Sequence, residues 1–511
     1  MAKFCIENEW LKKTLAVLFF IIALQSFYSY IGVYKHLDRR PCGIHAWAQC
    51  QRASVAQGYY KEDMNFFLPR VQRYSKMGGV AGVEFPIIYY MGAILYKVFG
   101  FNEIYLRLIS LIMVSLGLFF FYLLSIKFLK SILWSLAAVG SAFFSPVLLY
   151  YTPSFLPDAP SMGLVLMAWY FFFNYKDSGK EKYFNWFIIL GTLAALIKVI
   201  SFMCFAAVVC LIILDRLKLF KQENKPHLFQ NPLKMILKLG IGTGFVVAWY
   251  YYANWLTIAY ENEAFCLTPV TGGAKIFEQV YQRIEEYWLF KYYAYETYML
   301  ILSAILCFVF LRSYVNRFLF TITIIYLLGS ICYVILFITQ FLNHDYYIIS
   351  IFPTIFFLFL CFADALSKFI KHRFIILNAL MLVIIFFNMK ECIINCEEVY
   401  TDRYDRLTYY GIDERPYYDL EPRLRAIGIK RSDVLMSGFD DTFCNTLYLM
   451  DQVGLLLPDR ADSNFVKKTL ADKKIKYLVL NDSVKFNAIY RTDLDKKIVL
   501  THRGLIVYKL R

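Results

Sequence analysis

The chain has 511 residues, of which 59% are hydrophobic, 19% are aromatic and only 18% are charged. A soluble core of this length does not need so much apolar surface, so the composition excludes an ordinary soluble protein and predicts that lipid is the solvent. The formal net charge of +15 fits anionic lipid headgroups and the excess of Lys and Arg in cytoplasmic loops, and no nucleic-acid partner is expected.

Apolar runs near the length that crosses roughly 30 Å of hydrocarbon recur along the chain. The predicted spans are residues 14–34, 104–126, 131–151, 159–175, 183–214 as two short helices, 235–255, 297–311, 318–338, 346–366 and 374–389. The double crossing at 183–214 has its break at 198–201. We therefore predict an all-α polytopic membrane protein with about eleven transmembrane helices.

The distribution of Lys and Arg predicts the orientation of these helices. With a cytoplasmic amino terminus, the basic short loops fall on the inner side, as short cytoplasmic loops do. These loops are residues 127–130, 176–182, 215–234, 312–317 and 368–373. The chain is thus predicted to be integral to the plasma (inner) membrane, with the first loop, 35–103, and the tail after Lys390 on the outer side.

Two segments do not read as spans. Residues 86–99 are apolar but too few to cross, so we predict an interfacial helix within the first outer loop. Residues 391–511 alternate short strand-like and helical runs, which predicts a small extracytoplasmic α/β domain that follows a transmembrane domain of residues 1–390. The strand-like runs are 434–437, 477–480, 498–501 and 505–510, the helical runs are 446–454 and 465–473, and residues 502–504 are expected to close a terminal hairpin.

Ionisable residues at the ends of spans are costly in lipid and are functional candidates. Glu84 precedes the interfacial helix, and it either caps that helix or acts as a base. Asp158 opens the fourth span, where an N-cap is the alternative to a role in a site. Lys198 interrupts an apolar run, and its ammonium either reaches the interface or meets an anion.

Two further groups lie on the predicted outer side. His344, Asp345, Tyr346 and Tyr347 open the tenth span, where the tyrosines could be interfacial anchors and the His and Asp could bind a phosphate or a sugar. His45, Trp47, Gln49 and Arg52 offer an imidazole, a stacking face, an amide and a guanidinium in the first loop. That combination suits substrate recognition, although Trp47 could also lie in the interface.

The chain resembles the GT-C superfamily of membrane glycosyltransferases, and in particular family 39, which includes protein O-mannosyltransferases and lipid A aminoarabinose transferases. The resemblance covers roughly the first 370 residues. It is carried by the long first outer loop, Glu84-x-Pro86, Phe99-Gly100, Arg107, Pro157-Asp158, Lys198 after Leu-Ala-Ala-Leu-Ile, and His344-Asp345-Tyr346-Tyr347 with Pro353.

The resemblance implies an enzyme that transfers a sugar from a polyprenyl-phosphate donor to a lipid, glycan or protein acceptor, with inversion. It makes Glu84 and Asp158 candidate acidic catalytic residues. It also assigns Lys198, His344 and Tyr347, with Asp345 and Tyr346 beside them, to the lipid phosphate. No cofactor is certain, but a divalent metal at Glu84 with His344 or His45 would fit some relatives.

One departure from the family concerns the base. Relatives place an acidic residue early in the first outer loop, where this chain has Ala48 and Gln49. Asp38 or Glu84 would then take that role. Two other functions remain open: a transporter or flippase of lipid-linked saccharides, and a catalytically degenerate scaffold of the cell envelope. Convergence of the acidic residues on one outer cavity would favour an enzyme.

Overall fold

The structure is a computed structural model that describes residues 9–76, 78–220, 227–262, 274–369, 374–405, 408–409, 412–490 and 498–510. Two compact units make up the chain. The first comprises Met1–Leu37, Leu108–Ala248 and Thr268–Val399, and the second comprises Asp38–Arg107, Trp249–Leu267 and Tyr400–Arg511. Part of the segment predicted to form the first outer loop thus belongs to the same compact unit as the carboxyl-terminal residues.

Most of the described chain is helical. The helices are α1 (Glu9–Tyr30), α2 (Ala46–Lys61), α3 (Ile87–Phe99), α4 (Ile104–Leu129), α5 (Ile132–Phe143), α6 (Pro146–Tyr151), α7 (Asp158–Ser178), α8 (Glu181–Ile197), α9 (Met203–Arg216), α10 (Pro232–Tyr260), α11 (Ala274–Arg283), α12 (Leu289–Tyr292), α13 (Tyr295–Phe310), α14 (Arg317–Leu336), α15 (Phe352–Phe369), α16 (Phe374–Tyr400), α17 (Arg415–Tyr418), α18 (Leu420–Ala426), α19 (Asn445–Leu449), α20 (Ser463–Ala471) and α21 (Ser483–Tyr490). Short 3-10 helices cover Val33–His36, Val199–Phe202, Ile338–Leu342 and Asp345–Ile351, and π-helical turns cover Ile284–Trp288 and Thr401–Asp405.

Every predicted span coincides with helix, and the prediction of a polytopic helical membrane protein is confirmed in that coarser form. Within the described residues, six helices are long and apolar enough to cross a membrane, or seven if one bent pair is a single span. That bent pair, Lys275–Tyr292 with Tyr295–Phe310, turns by 94°. The count of about eleven spans therefore stays a prediction, because several helices are too short to pass the same test alone.

A proline divides the predicted span at 131–151 into α5 and α6. Pro146 has no backbone N–H to donate to the preceding turn, so the first helix ends at Phe143. The hydroxyl of Ser145 accepts from the Leu148 N–H at 3.3 Å and begins the second helix. The apolar run is continuous in sequence, but the helix is not.

The predicted break at Lys198 is present in the structure. Lys198 has extended backbone angles, φ −145° and ψ 108°, between α8 and the 3-10 helix Val199–Phe202. The neighbouring helices pack closely: a Cβ on Gly117 of α4 would lie 2.4 Å from the Cα of Gly163 in α7. Small residues allow such close approach in membrane helices.

The carboxyl-terminal part of the second unit contains a five-stranded sheet. Its strands are β3 (Leu435–Gly438), β4 (Gly454–Leu457), β5 (Tyr477–Leu480), β6 (Ile498–His502) and β7 (Leu505–Lys509), in the order β4-β3-β5-β7-β6, and β1 (Thr408–Tyr409) pairs with β2 (Ile412–Asp413) separately. The first three strands of that order are parallel, and β7 is antiparallel to both of its neighbours. The α/β character and the terminal hairpin are as predicted, and Arg503 and Gly504 form its turn with positive φ.

One predicted helix in this region is wrong in part. The predicted run 446–454 contains α19, but Gly454 begins β4 instead of ending a helix. Gly454 pairs with Leu435 of β3, and a Cβ there would lie 2.2 Å from the Leu435 carbonyl oxygen. Pairing between distant segments thus overrides the local helical pattern.

A buried polar network joins α2 to α19 in the second unit. The Asn445 side-chain amide nitrogen donates to Glu414 Oε1 at 2.7 Å, and the Cys50 thiol donates to the Asn445 side-chain oxygen Oδ1 at 2.6 Å. The Tyr418 hydroxyl donates to Glu414 Oε2 at 3.3 Å. Burial raises the pKa of the Glu414 carboxyl from 4.5 to about 7, the two hydrogen bonds lower it, and the Asp440 carboxylate raises it again.

We expect this carboxyl to make stability fall as pH rises from about 4.5 to about 7, because in that window the folded protein keeps a proton that the unfolded chain has released. The wild type should lose about 1–3 kcal/mol of its free energy of unfolding across this pH window, and Glu414→Gln should abolish that loss. Melting temperatures of the full chain in detergent at several pH values measure the effect. Glu421→Gln, at a carboxylate with 42% exposure, is the control, and identical pH profiles for wild type and Glu414→Gln would contradict the assignment.

Candidate functional site

An ion pair lies at the break between α8 and the following 3-10 helix of the first unit. The Lys198 Nζ atom is 2.8 Å from Asp158 Oδ1, and the side chains are 15% and 1% exposed. Each charge is largely removed from solvent, so breaking the pair would leave the other charge uncompensated. Lys198 therefore meets an anion in this structure.

Asp158 does not act as the N-cap that its position suggested. It is the first residue of α7, the N-cap position is Pro157, and that cap has no side-chain hydrogen bond. Its second oxygen, Oδ2, is buried and has no hydrogen-bond partner among the described residues. A small pocket adjoins the carboxylate and is lined by Ser201, Ser350 and the apolar side chains of Met203 and Pro353, among others.

Two tyrosine rings also surround the Lys198 ammonium. Its Nζ atom lies 4.6 Å from the Tyr347 ring centre and 5.7 Å from that of Tyr346. Both distances are within the range of cation–π attraction. The ring centre of His344 lies 5.2 Å from that of Tyr347 in a tilted contact and 5.4 Å from that of Tyr346 in an edge-on contact. The His344 Nδ1 atom lies 3.0 Å from the Gln340 carbonyl oxygen.

Asp345 is fully buried and does not face solvent. Its Oδ1 accepts a hydrogen bond from the Tyr151 hydroxyl at 2.8 Å. The Tyr151 ring in turn meets the Tyr346 ring edge-on at 5.5 Å. The end of α6 thus fixes the start of the 344–347 segment, and the predicted donor-binding residues of this unit lie together around Lys198.

A second ion pair lies in the second unit, between α2 and the segment before α3. Arg52 Nη2 donates to Glu84 Oε1 at 2.6 Å, while Nη1 donates to Gln51 Oε1 at 3.0 Å. The N-cap of α3 is Pro86 and has no side-chain cap. Glu84 is therefore held by a guanidinium, and its Oε2 is buried with no hydrogen-bond partner in the described ranges.

The other first-loop candidates lie along or before α2. His45 is the N-cap residue of this helix and is fully buried, and Trp47 is half-buried. The Gln49 amide donates to the Cys42 carbonyl oxygen at 3.0 Å. His45, Gln49 and Arg52 recur at the spacing that places residues on one helix face, whereas Asp38 is exposed.

The predicted carboxylates fall in different units: Glu84 and Asp38 in the second, and Asp158 in the first. A cavity shared by Glu84 and Asp158 stays a prediction. The two residues of the predicted metal site, Glu84 and His344, also belong to different units. Across the part of the chain that the structure describes, no three His, Cys, Asp or Glu side chains are grouped as a metal site requires.

Comparison with known proteins finds a family profile that matches part of the sequence and solved structures with a similar fold. A profile described as dolichyl-phosphate-mannose-protein mannosyltransferase matches residues 84–237, a stretch that contains Glu84, Asp158 and Lys198. ArnT from Cupriavidus metallidurans in the apo state has a similar structure, with a TM-score of 0.62, 11% identity and coverage of 98% of each chain. The same protein bound to undecaprenyl phosphate gives a TM-score of 0.60, 10% identity and coverage of 97% and 98%.

An oligosaccharyltransferase from Archaeoglobus fulgidus in the apo form is also similar, with a TM-score of 0.54, 12% identity and coverage of 92% of this chain and 70% of that one. The search of curated protein sequences found no match. The chain has the fold of the GT-C membrane glycosyltransferases. The resemblance predicted from the sequence is confirmed by the profile match and by these folds.

The sequence did not reveal Tyr151 as part of this candidate site. It lies in what reads as an uninterrupted apolar span, and its partner Asp345 is 194 residues away. The Ser145-Pro146 step was the available signal, because a capped proline start marks a helix break. The sequence also did not reveal the hydroxyl contact between Ser161 and Ser201, whose oxygens are 2.6 Å apart, because these partners are distant in sequence and lie in apolar segments.

If undecaprenyl phosphate binds this chain at Lys198, Tyr151→Phe should weaken that binding by roughly three- to tenfold, because loss of one charge-assisted hydrogen bond would loosen Asp345 and the tyrosines that follow it. Titration of the purified full chain in nanodiscs measures the dissociation constant. Tyr122→Phe, whose hydroxyl donates to Ala16 within the same unit, is the matched control. Equal affinities for Tyr151→Phe and the wild type would contradict a positioning role for Tyr151.

Proposed function

We propose that this GT-C protein transfers a sugar from a polyprenyl-phosphate donor to a lipid, glycan or protein acceptor, with inversion at the anomeric carbon. The observation that carries the proposal is the Lys198 ammonium, partly exposed and held by Asp158, Tyr346 and Tyr347. An ammonium at the end of an apolar helix suits the phosphate of a lipid carrier. The crystal structure of ArnT with undecaprenyl phosphate supports this ligand class.

The leaving group determines what the site must supply. As the acceptor oxygen bonds to the anomeric carbon, the bond from that carbon to the phosphate oxygen breaks and negative charge collects on the phosphate. Lys198 would neutralise this charge, with His344 beside it as a further donor. Tyr347 and Tyr346 keep the ammonium in place, and Asp345 holds the segment through Tyr151.

The acceptor hydroxyl must lose a proton in the same step. We place the base at Asp158 among the three candidates, because its carboxylate borders the pocket and adjoins the Lys198 ammonium that would meet the leaving phosphate. Glu84 is engaged by Arg52, and substrate recognition by Glu84, His45, Trp47 and Gln49 is a separate proposal for the second unit. Asp38 remains the alternative base in the first loop.

We place the reaction on the outer side of the plasma membrane. The support is the high content of Lys and Arg in the short loops that alternate with the candidate site segments along the chain. Short basic loops are typical of the cytoplasmic side, so the site segments are expected on the opposite side. A divalent metal at Glu84 and His344 is not required by this assignment. A transporter would move the lipid-linked sugar without cleaving it, so release of polyprenyl phosphate separates the two functions.

Purified protein in sealed vesicles should release polyprenyl phosphate from one member of a panel of polyprenyl-phosphate sugars when an acceptor is supplied on the outer side. Asp158→Asn should reduce turnover by about a hundredfold or more, because loss of a base acts in the transition state. Glu84→Gln should raise the KM for the acceptor more than it lowers kcat.

Asp177→Asn is the matched control, since Asp177 pairs with Lys127 and Lys176 at the other end of the same helix, α7. Turnover of Asp158→Asn within about threefold of wild type would remove Asp158 from the chemistry. Movement of intact donor across the membrane without release of polyprenyl phosphate would contradict the transferase and favour a flippase.

A further inference from the structure

The proposed function leaves an electrostatic problem at Lys198. The ammonium already has a carboxylate partner at 2.8 Å, and that carboxylate is almost fully buried. A phosphate that joined the pair unchanged would place two anions on one cation in a site of low dielectric constant. Like charges a few ångströms apart are strongly unfavourable there.

We propose that the donor binds by counterion exchange: the phosphate displaces the Asp158 carboxylate from Lys198, and the carboxylate returns to Lys198 to expel the spent lipid phosphate. This inference rests on the proposed function and specifies how its phosphate site is loaded and emptied. It makes Asp158 the residue that sets donor affinity as well as a candidate base.

The geometry of the lysine permits the exchange. The Lys198 side chain is 15% exposed and that of Asp158 is 1% exposed, so the ammonium is the partner with access to an incoming ligand. The rings of Tyr347 and Tyr346 attract the ammonium without carrying charge. They can therefore hold it in place while its anionic partner changes.

The pocket beside Asp158 gives the displaced carboxylate hydrogen-bond donors. Ser201 and Ser350 line this pocket together with Asp158, and their hydroxyl groups can rotate to donate to a carboxylate. The Ser201 hydroxyl presently lies 2.6 Å from that of Ser161. A small rotation of the carboxylate towards these hydroxyl groups would exchange one ionic contact for neutral hydrogen bonds.

The exchange couples donor binding to the chemistry of the transfer. Once the phosphate has taken the lysine, the Asp158 carboxylate has left its ion pair and can accept a hydrogen bond from the acceptor hydroxyl. It then accepts the acceptor's proton as the new glycosidic bond forms and the bond to phosphate breaks. Loss of that proton to solvent regenerates the carboxylate, which competes for Lys198 and releases the lipid phosphate.

The test is the affinity of the full chain in lipid nanodiscs for undecaprenyl phosphate, with uncharged undecaprenol as the lipid-only control. Exchange predicts that Asp158→Asn binds undecaprenyl phosphate roughly tenfold more tightly than wild type, because the competing anion is removed. Lys198→Met should bind it at least about tenfold more weakly, and the double variant should match Lys198→Met.

Asp158→Ala provides a second neutral side chain in case Asp158→Asn does not fold. Asp158→Glu keeps the competing charge and should not tighten binding. Asp177→Asn controls for loss of an acidic residue in α7. Unchanged or weaker binding by the folded neutral variants, with the wild type still preferring undecaprenyl phosphate to undecaprenol, overturns the exchange and leaves the proposed function standing. If the wild type binds both lipids equally, the proposed function fails and the inference fails with it.

Discussion

The ion pair between Lys198 and Asp158 is the interaction on which the site of the first unit depends. Both side chains are largely buried, and each lies where a helix begins or ends. A buried pair contributes little net stability compared with apolar residues of similar size, but loss of one partner is costly. The pair is therefore better explained by chemistry than by folding, since the proposed sugar transfer needs a cation at the phosphate leaving group.

Helix breaks place the chemistry. Lys198 interrupts one apolar run, Pro146 interrupts another, and the segment from Asp345 to Ile351 forms a 3-10 helix before α15 begins. Non-helical backbone is tolerated at membrane depth only where protein or a cavity surrounds it. These three breaks in one unit therefore contain or precede the residues of the ion pair and the tyrosine rings.

Local sequence patterns predicted most of the fold and the identity of the candidate residues, but not their partners. The break at Lys198 was predictable because an ammonium in an apolar run is costly, and the limits of β5 followed from its apolar pattern. The hydrogen bond from Tyr151 to Asp345 and the pairing of Glu84 with Arg52 join residues that are distant in sequence. Gly454 belongs to a strand because it pairs with β3, and this pairing is not encoded by the local sequence pattern.

The most direct measurement is an experimental structure of the full chain with undecaprenyl phosphate bound. The account predicts a phosphate oxygen within about 3 Å of Lys198 Nζ, the tyrosine rings still around the ammonium, and the Asp158 carboxylate turned towards Ser201 and Ser350. A phosphate bound elsewhere, with the contact between Lys198 and Asp158 intact at its present 2.8 Å, would contradict it.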